Sequence, residues 1–153
     1  MEERARAKQK ALELLAYRAR SVEELRKKLK AKDFSERTID RVIDDFLQVG
    51  LLDDSQFASA YVHSRMVQKP MGKRLLRQEL FSKGIDEEKA EKAIEELYSD
   101  RSEFDVAKDL VQKRVRKSKM SEEEMKKQKK KLSQFLLRRG FDWGVISEVL
   151  QEE

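Results

Sequence analysis

The 153-residue chain has no cysteine, one histidine, one proline and one tryptophan. Without cysteine there is no disulfide framework, no thiolate nucleophile and no cysteine-ligated metal, and the absence fits a reducing compartment. With His63 alone, a histidine-rich zinc site is excluded too; at a helical position it reads as a partly exposed bystander, not a general base. Aromatics make up 7% of the residues against 42% charged, too little bulk and too much charge for one large spherical core. No stretch approaches the roughly 18 apolar residues that a membrane helix needs. The N-terminal MEERARAKQK has no apolar run behind its charges, so no secretory signal is expected. These shortages lead us to expect a soluble, cytoplasmic, monomeric protein with no membrane contact.

What remains is helix signal. Apolar residues recur at spacings of three and four, as in Leu25/Leu29, Ile39/Val42/Ile43/Phe46, Leu76/Leu80 and Ala90/Ala93/Ile94/Leu97. No window alternates with period two, so no strand is expected. Ser21 and Ser121, each with Glu three residues on, have the pattern of capping boxes, and Ser35, Asp86 and Asp142 stand where N-caps belong. Gly50, Pro70 with Gly72, Gly84 and Gly140 mark the stops.

The helices repeat. An offset of 51 sets Leu25, Leu29, Lys32, Phe34 and Ser35 on Leu76, Leu80, Lys83, Ile85 and Asp86. A further offset of 56 carries Leu80, Lys83, Gly84, Ile85 and Asp86 to Leu136, Arg139, Gly140, Phe141 and Asp142. A preceding helix repeats as well: Ala11, Leu14, Leu15 and Arg18 match Ala58, Tyr61, Val62 and Arg65, then Ala107, Leu110, Val111 and Arg114. The expected fold is all-α, three tandem three-helix units at 1–50, 51–98 and 99–153, forming an elongated, curved array. Units this small are marginal alone, so neighbours should support one another. Such an array offers surface and few deep pockets, and its radius of gyration should exceed the roughly 15 Å of a compact chain of this length.

No catalytic constellation emerges, so no enzyme activity, cofactor or metal is expected. Gly72-Lys73-Arg74 lacks the preceding Gly and following Ser/Thr of a phosphate-binding loop. Asp53 and Asp54 read as helix N-terminal residues. Tyr17, Phe57, Tyr61 and Trp143 fall at core or core-edge positions, against a role in stacking on bases. Charge is the remaining feature. Net charge is +5, and residues 113–131 concentrate it: Lys113, Arg114, Arg116, Lys117, Lys119, Lys126, Lys127, Lys129, Lys130 and Lys131 against Glu122, Glu123 and Glu124. The glutamates can pair with Lys126 and Lys127 four residues on, leaving Lys129, Lys130 and Lys131. A localised basic patch suits a polyanion, or a partner that carries one.

The tracts LLDDSQFASAYVHSRM and KPMGKRLLRQELFSKGI, with ALELLAYRARSVEELRKKLKAKDF before and KLSQFLLRRGFDWGVISEVL after, resemble the repeats of the RecX family, regulators of the bacterial RecA recombinase. Asp33 departs from a turn position that often has Gly, and the lysine-rich segment of the third unit aligns poorly. The resemblance implies a non-enzymatic regulator that lies along the groove of the RecA–DNA filament, chiefly restraining ATP hydrolysis, strand exchange and filament growth in DNA repair. Contacts with RecA or its DNA would come from Arg18, Arg65, Lys69, Lys73, Arg74, Arg77 and Lys83, and in the third unit from Arg114, Arg116, Lys117, Lys129, Lys130 and Lys131. Binding to single- or double-stranded DNA would be weak and indifferent to sequence. The competing reading is a sequence-independent DNA-binding module of helix-turn-helix-like units.

Overall fold

In the computed structural model, residues 2–115 and 121–151 are described, and among them the chain is entirely helical. The elements are α1 (Glu2–Tyr17), α2 (Val22–Ala31), α3 (Glu36–Gln48), α4 (Asp54–Gln68), α5 (Lys73–Ser82), α6 (Glu87–Leu97), α7 (Glu103–Arg114), α8 (Glu122–Arg138) and α9 (Trp143–Gln151). The all-α, three-helix periodicity read from the sequence is therefore present. Arg116 and Lys117 lie outside the described residues.

Helix starts are chemically explicit. The Ser21 hydroxyl accepts the Glu24 N–H while the Glu24 carboxylate accepts the Ser21 N–H, a complete capping box. Ser35, Ser102 and Ser121 cap α3, α7 and α8 through the N–H three residues on, and Asp86 and Asp142 do the same for α6 and α9. After α2, α5 and α8 the chain turns through equivalent positions, Asp33, Gly84 and Gly140, all with left-handed φ of 67°, 78° and 92°. Two of the three are glycine, which has no Cβ to clash in that region.

The chain divides into two compact units, Met1–Ala60 with Leu80–Ala90, and Tyr61–Glu79 with Glu91–Glu153. Helices α4, α5 and α6 each contribute residues to both. In unit 1, Ala7 and Ala11 let α1 approach closely, and Leu25, Leu29, Ile39, Val42, Ile43, Phe46 and Leu52 close a core with Leu14, Leu15, Val22 and Phe34 at its edge. Each large side chain buried there contributes roughly 1.5–3 kcal/mol. In unit 2, α7 and α8 pack on α9, and Val106, Val111, Leu132, Phe135, Leu136, Phe141, Ile146 and Val149 are buried.

The aromatic expectation needs correction. Phe57 is buried and Tyr61 half-buried, but Tyr17 is 83% and Trp143 59% exposed. Tyr17 follows Leu14 by three residues and Trp143 precedes Ile146 by three, so each continues an apolar face. Both stand at a helix end, Tyr17 at the last residue of α1 and Trp143 at the first of α9.

Candidate functional site

Where the basic residues can act depends on what the repeats already use them for. In unit 1 the start of α2 meets the turn between α5 and α6. The Ser21 hydroxyl donates to the Lys83 carbonyl at 2.6 Å, and the Val22 N–H donates to Asp54 at 2.9 Å. Asp53, one residue earlier, caps α4 through the N–H groups of Ser55 and Gln56. The adjacent aspartates thus divide their work, one holding its own helix and one holding α2. Burial raises the Asp54 carboxyl, with Asp86 and Asp53 adding to it, against the Val22 N–H and the Lys89 charge.

In unit 2 the start of α5 meets the turn between α8 and α9 at equivalent positions. The Gly72 N–H donates to the Arg139 carbonyl at 2.7 Å, and the Lys73 N–H to Glu103 at 3.0 Å. The Arg74 guanidinium reaches the Leu137 carbonyl at 2.6 Å and Arg139 reaches that of Pro70 at 2.7 Å. The buried Tyr98 hydroxyl donates to the Met71 carbonyl, and burial, with the Glu103 charge, pushes that phenol well above its ordinary range.

Several predicted contact residues are engaged by carboxylates within these frames. Arg18 (2.9 Å) and Lys83 (3.2 Å) both hold Glu24. Burial opposes the ionisation of Glu24, but hydrogen bonds from Arg18, the Ser21 backbone and Lys83 outweigh it and hold the carboxyl at about 2. Arg65 forks onto Glu79 at 3.0 and 3.3 Å, where the Tyr61 hydroxyl also donates at 2.7 Å. Arg77 forks onto Glu91, the counterpart one repeat later of Arg26 on Asp40. Lys73 sits 5.6 Å over the Tyr98 ring. Of the repeat-equivalent arginines, Arg18 and Arg65 face carboxylates and Arg114 faces a ring, 4.1 Å from the Phe135 centroid.

The remaining predicted cations differ in their surroundings. Lys69, Lys129, Lys130 and Lys131 are exposed. The expected pairing of Glu122 and Glu123 with Lys126 and Lys127 is absent: no ion pair involves a described side chain of α8, whereas Arg18, Arg26, Arg65, Arg77 and Lys83 each have one. A cleft of about 310 Å³ opens at Arg114 and the face of α8 carrying Gln128, Lys131, Leu132, Gln134 and Arg138. Gln128, Gln134 and Arg138 were missed from the sequence; with Lys131 they fall on one helix face, at three, six and ten residues from Gln128, and that was the available signal. Among the described residues no three His, Cys, Asp or Glu side chains could share a metal ion, no buried side-chain polar atom lacks a partner, and no helix is long and apolar enough to cross a membrane.

Comparison with known proteins gives a consistent picture. Family models described as the first, second and third three-helix domains of RecX match residues 7–46, 53–94 and 101–150. A "Regulatory protein RecX" of Chlorobium phaeobacteroides is 38% identical over 142 residues, covering 93% of this chain and 89% of that protein. One from Clostridioides difficile is 36% identical over 147 residues, covering 96% and 68%. The crystal structure of RecX from Lactobacillus salivarius superposes with a TM-score of 0.84 at 29% identity, covering 99% of this chain and 96% of that one. A second crystal structure of a regulatory protein RecX gives 0.83 at 27% identity, over 99% and 74%.

Proposed function

The chain belongs to the RecX family of regulatory proteins, and on that premise we propose that it binds the RecA–DNA filament along its groove and chiefly inhibits RecA ATP hydrolysis, strand exchange and filament growth. Three repeats, taken as 1–50, 51–98 and 99–153, supply a series of similar surfaces, and a filament presents a series of similar sites. Binding across several protomers would restrain the filament without any chemistry of the regulator's own. The single observation that carries the electrostatic half of this reading is the division among the cations. Arg18, Arg65, Arg77 and Lys83 are held by Glu24, Glu79 and Glu91, whereas Lys129, Lys130, Lys131 and Arg114 form no ion pair among the described residues. We therefore assign the first group to holding the frame and the second, with Lys69, to reaching the partner.

The test sediments the protein with assembled RecA filament, free RecA and bare single-stranded DNA in parallel, alongside the filament's ATP hydrolysis. Capture on filament well above capture on bare DNA, with slowed hydrolysis, is expected. If bare DNA accounts for all capture and RecA adds nothing, the chain is a general DNA-binding module instead. Reversing Arg65 or Arg77 would set a new acid against Glu79 or Glu91, so Lys129→Glu with Lys130→Glu is the cleaner probe. That pair should weaken filament capture by at least about tenfold, because losing two charge contacts of about 0.7 kcal/mol each already costs that much and the new acids add repulsion.

A further inference from the structure

The cleft between the end of α7 and α8 has an unusual inventory. Its lining is Arg114, Gln128, Lys131, Leu132, Gln134 and Arg138, three full positive charges with no carboxylate. Among the described residues neither Arg114, Lys131 nor Arg138 has an ion-pair partner. Arg114 is instead oriented by Phe135, and Arg139 lies over the same ring at 4.9 Å, so the cation is positioned without being neutralised. A second cleft, in unit 1, shows the ordinary arrangement: it is lined by Arg6, Gln9, Lys10, Glu13, Lys32 and Phe34, and Glu13 lies 3.8 Å from Lys10.

We propose that the α7–α8 cleft holds the phosphodiester backbone of a single nucleic-acid strand. The proposal rests on the filament reading above and assigns the third repeat's contact to DNA rather than to protein. Guanidinium groups match phosphate oxygens with a planar fork, and two of the three cations are arginines. Gln128, Lys131, Gln134 and Arg138 run along one face of α8 for about 15 Å, at 1.5 Å per residue. A lone anion would leave most of that row unused, whereas a strand with repeating charges can occupy it. The glutamine amides offer acceptors as well as donors. Base amino and imino groups can use those acceptors, and the carboxylates of an acidic peptide cannot.

The test compares the full chain with Lys131→Gln/Arg138→Gln, both exposed positions, and with Lys27→Gln/Lys28→Gln on α2, which removes the same charge from unit 1. Fluorescent oligothymidylate and polyglutamate are titrated across a salt series, with circular dichroism as the folding check. For the cleft variant, oligothymidylate affinity should fall about tenfold and the slope of log affinity against log salt should shrink by about 1.4, or about 0.7 for each phosphate no longer neutralised. The α2 variant should shift neither by more than a small fraction of that. Equal losses in both variants, an unchanged slope, or a loss confined to polyglutamate would each overturn the assignment. Capture of the cleft variant on RecA filament separates the two readings. If the wild type is captured and the cleft variant keeps its oligothymidylate slope, only the cleft assignment fails; if the wild type is not captured, the filament reading fails whatever the slope.

Discussion

In unit 1 the start of α2 touches the α5–α6 turn through a serine hydroxyl; in unit 2 the start of α5 touches the α8–α9 turn with its own backbone amide. The repeat positions are the same, Ser21 with Lys83 and Gly72 with Arg139, but the atoms differ. The reason is visible three residues on. Glu24 accepts the Ser21 N–H, so α2 is capped from within and the serine side chain is left to make the bridge. Leu75 stands at the equivalent place in α5 and can accept nothing, so the Gly72 N–H takes the neighbouring carbonyl. That requires an approach with no side chain between the two backbones. A Cβ on Gly72 would collide with the Gly140 carbonyl and lie 2.7 Å from the Phe141 nitrogen, and a Cβ on Gly140 would run into Leu75. The serine with its capping glutamate thus goes with a junction spaced by a side chain, and the glycine with its leucine goes with one closed backbone to backbone.

The largest break of this comparison is Gly72→Ala. Its φ lies outside the left-handed region, so no backbone strain is added. Overpacking against backbone and loss of the Gly72 to Arg139 hydrogen bond should together destabilise by about 3–5 kcal/mol. Ser21→Ala, at the equivalent position, removes a cap and a bridge but leaves room, and should cost about 1–2 kcal/mol. Urea midpoints at constant slope measure both. Equal losses would mean that the two junctions are closed in the same way.

Acid sharpens the same contrast at its source. The Glu24 carboxyl is held at about 2 in the fold against an ordinary 4.5. A depressed carboxylate contributes stability above its unfolded value, and that contribution is lost as pH falls from about 5 towards 2. Allowing for partial exposure, it is on the order of 1–2 kcal/mol. Glu24→Gln should thus be less stable than the wild type by that amount at neutral pH and level with it near pH 2. A constant gap between the two across this range would show that Glu24 acts by shape and not by charge.

Much of this was readable from the sequence because it is local. Caps and turns declare themselves within four residues, and the repeat offset placed Asp33, Gly84 and Gly140 at one turn position before their shared left-handed backbone was seen. The junctions were not readable, because Val22 meets Asp54 across 32 positions and Ser21 meets Lys83 across 62. Position in a repeat does not say which backbones touch. The arginines' local partners were not readable for a related reason. A cation at a recurring site looks like a surface device until its acid is found, and Arg65 and Arg77 each have theirs 14 residues on. Searching for charge complements at a fixed offset would have found these pairs. It also exposes where the pattern lapses.

That lapse gives the smallest effect and the finest test. Arg26 with Asp40 ties α2 to α3, and Arg77 with Glu91 ties α5 to α6; the same offsets lead to Ser133 on α8 and Ser147 on α9. The third repeat has the helix pair without the ion pair. Two serines stand where the earlier repeats place a cation and an acid, so this helix pair lacks both partners of the tie. Ser133→Arg with Ser147→Glu should therefore recover only a surface-pair coupling of about 0.3–0.5 kcal/mol in a double-mutant cycle. A coupling near zero would mean that α8 and α9 do not meet at the angle the first two repeats use. A coupling of the expected size would show that the third repeat kept the geometry and gave up only the charges.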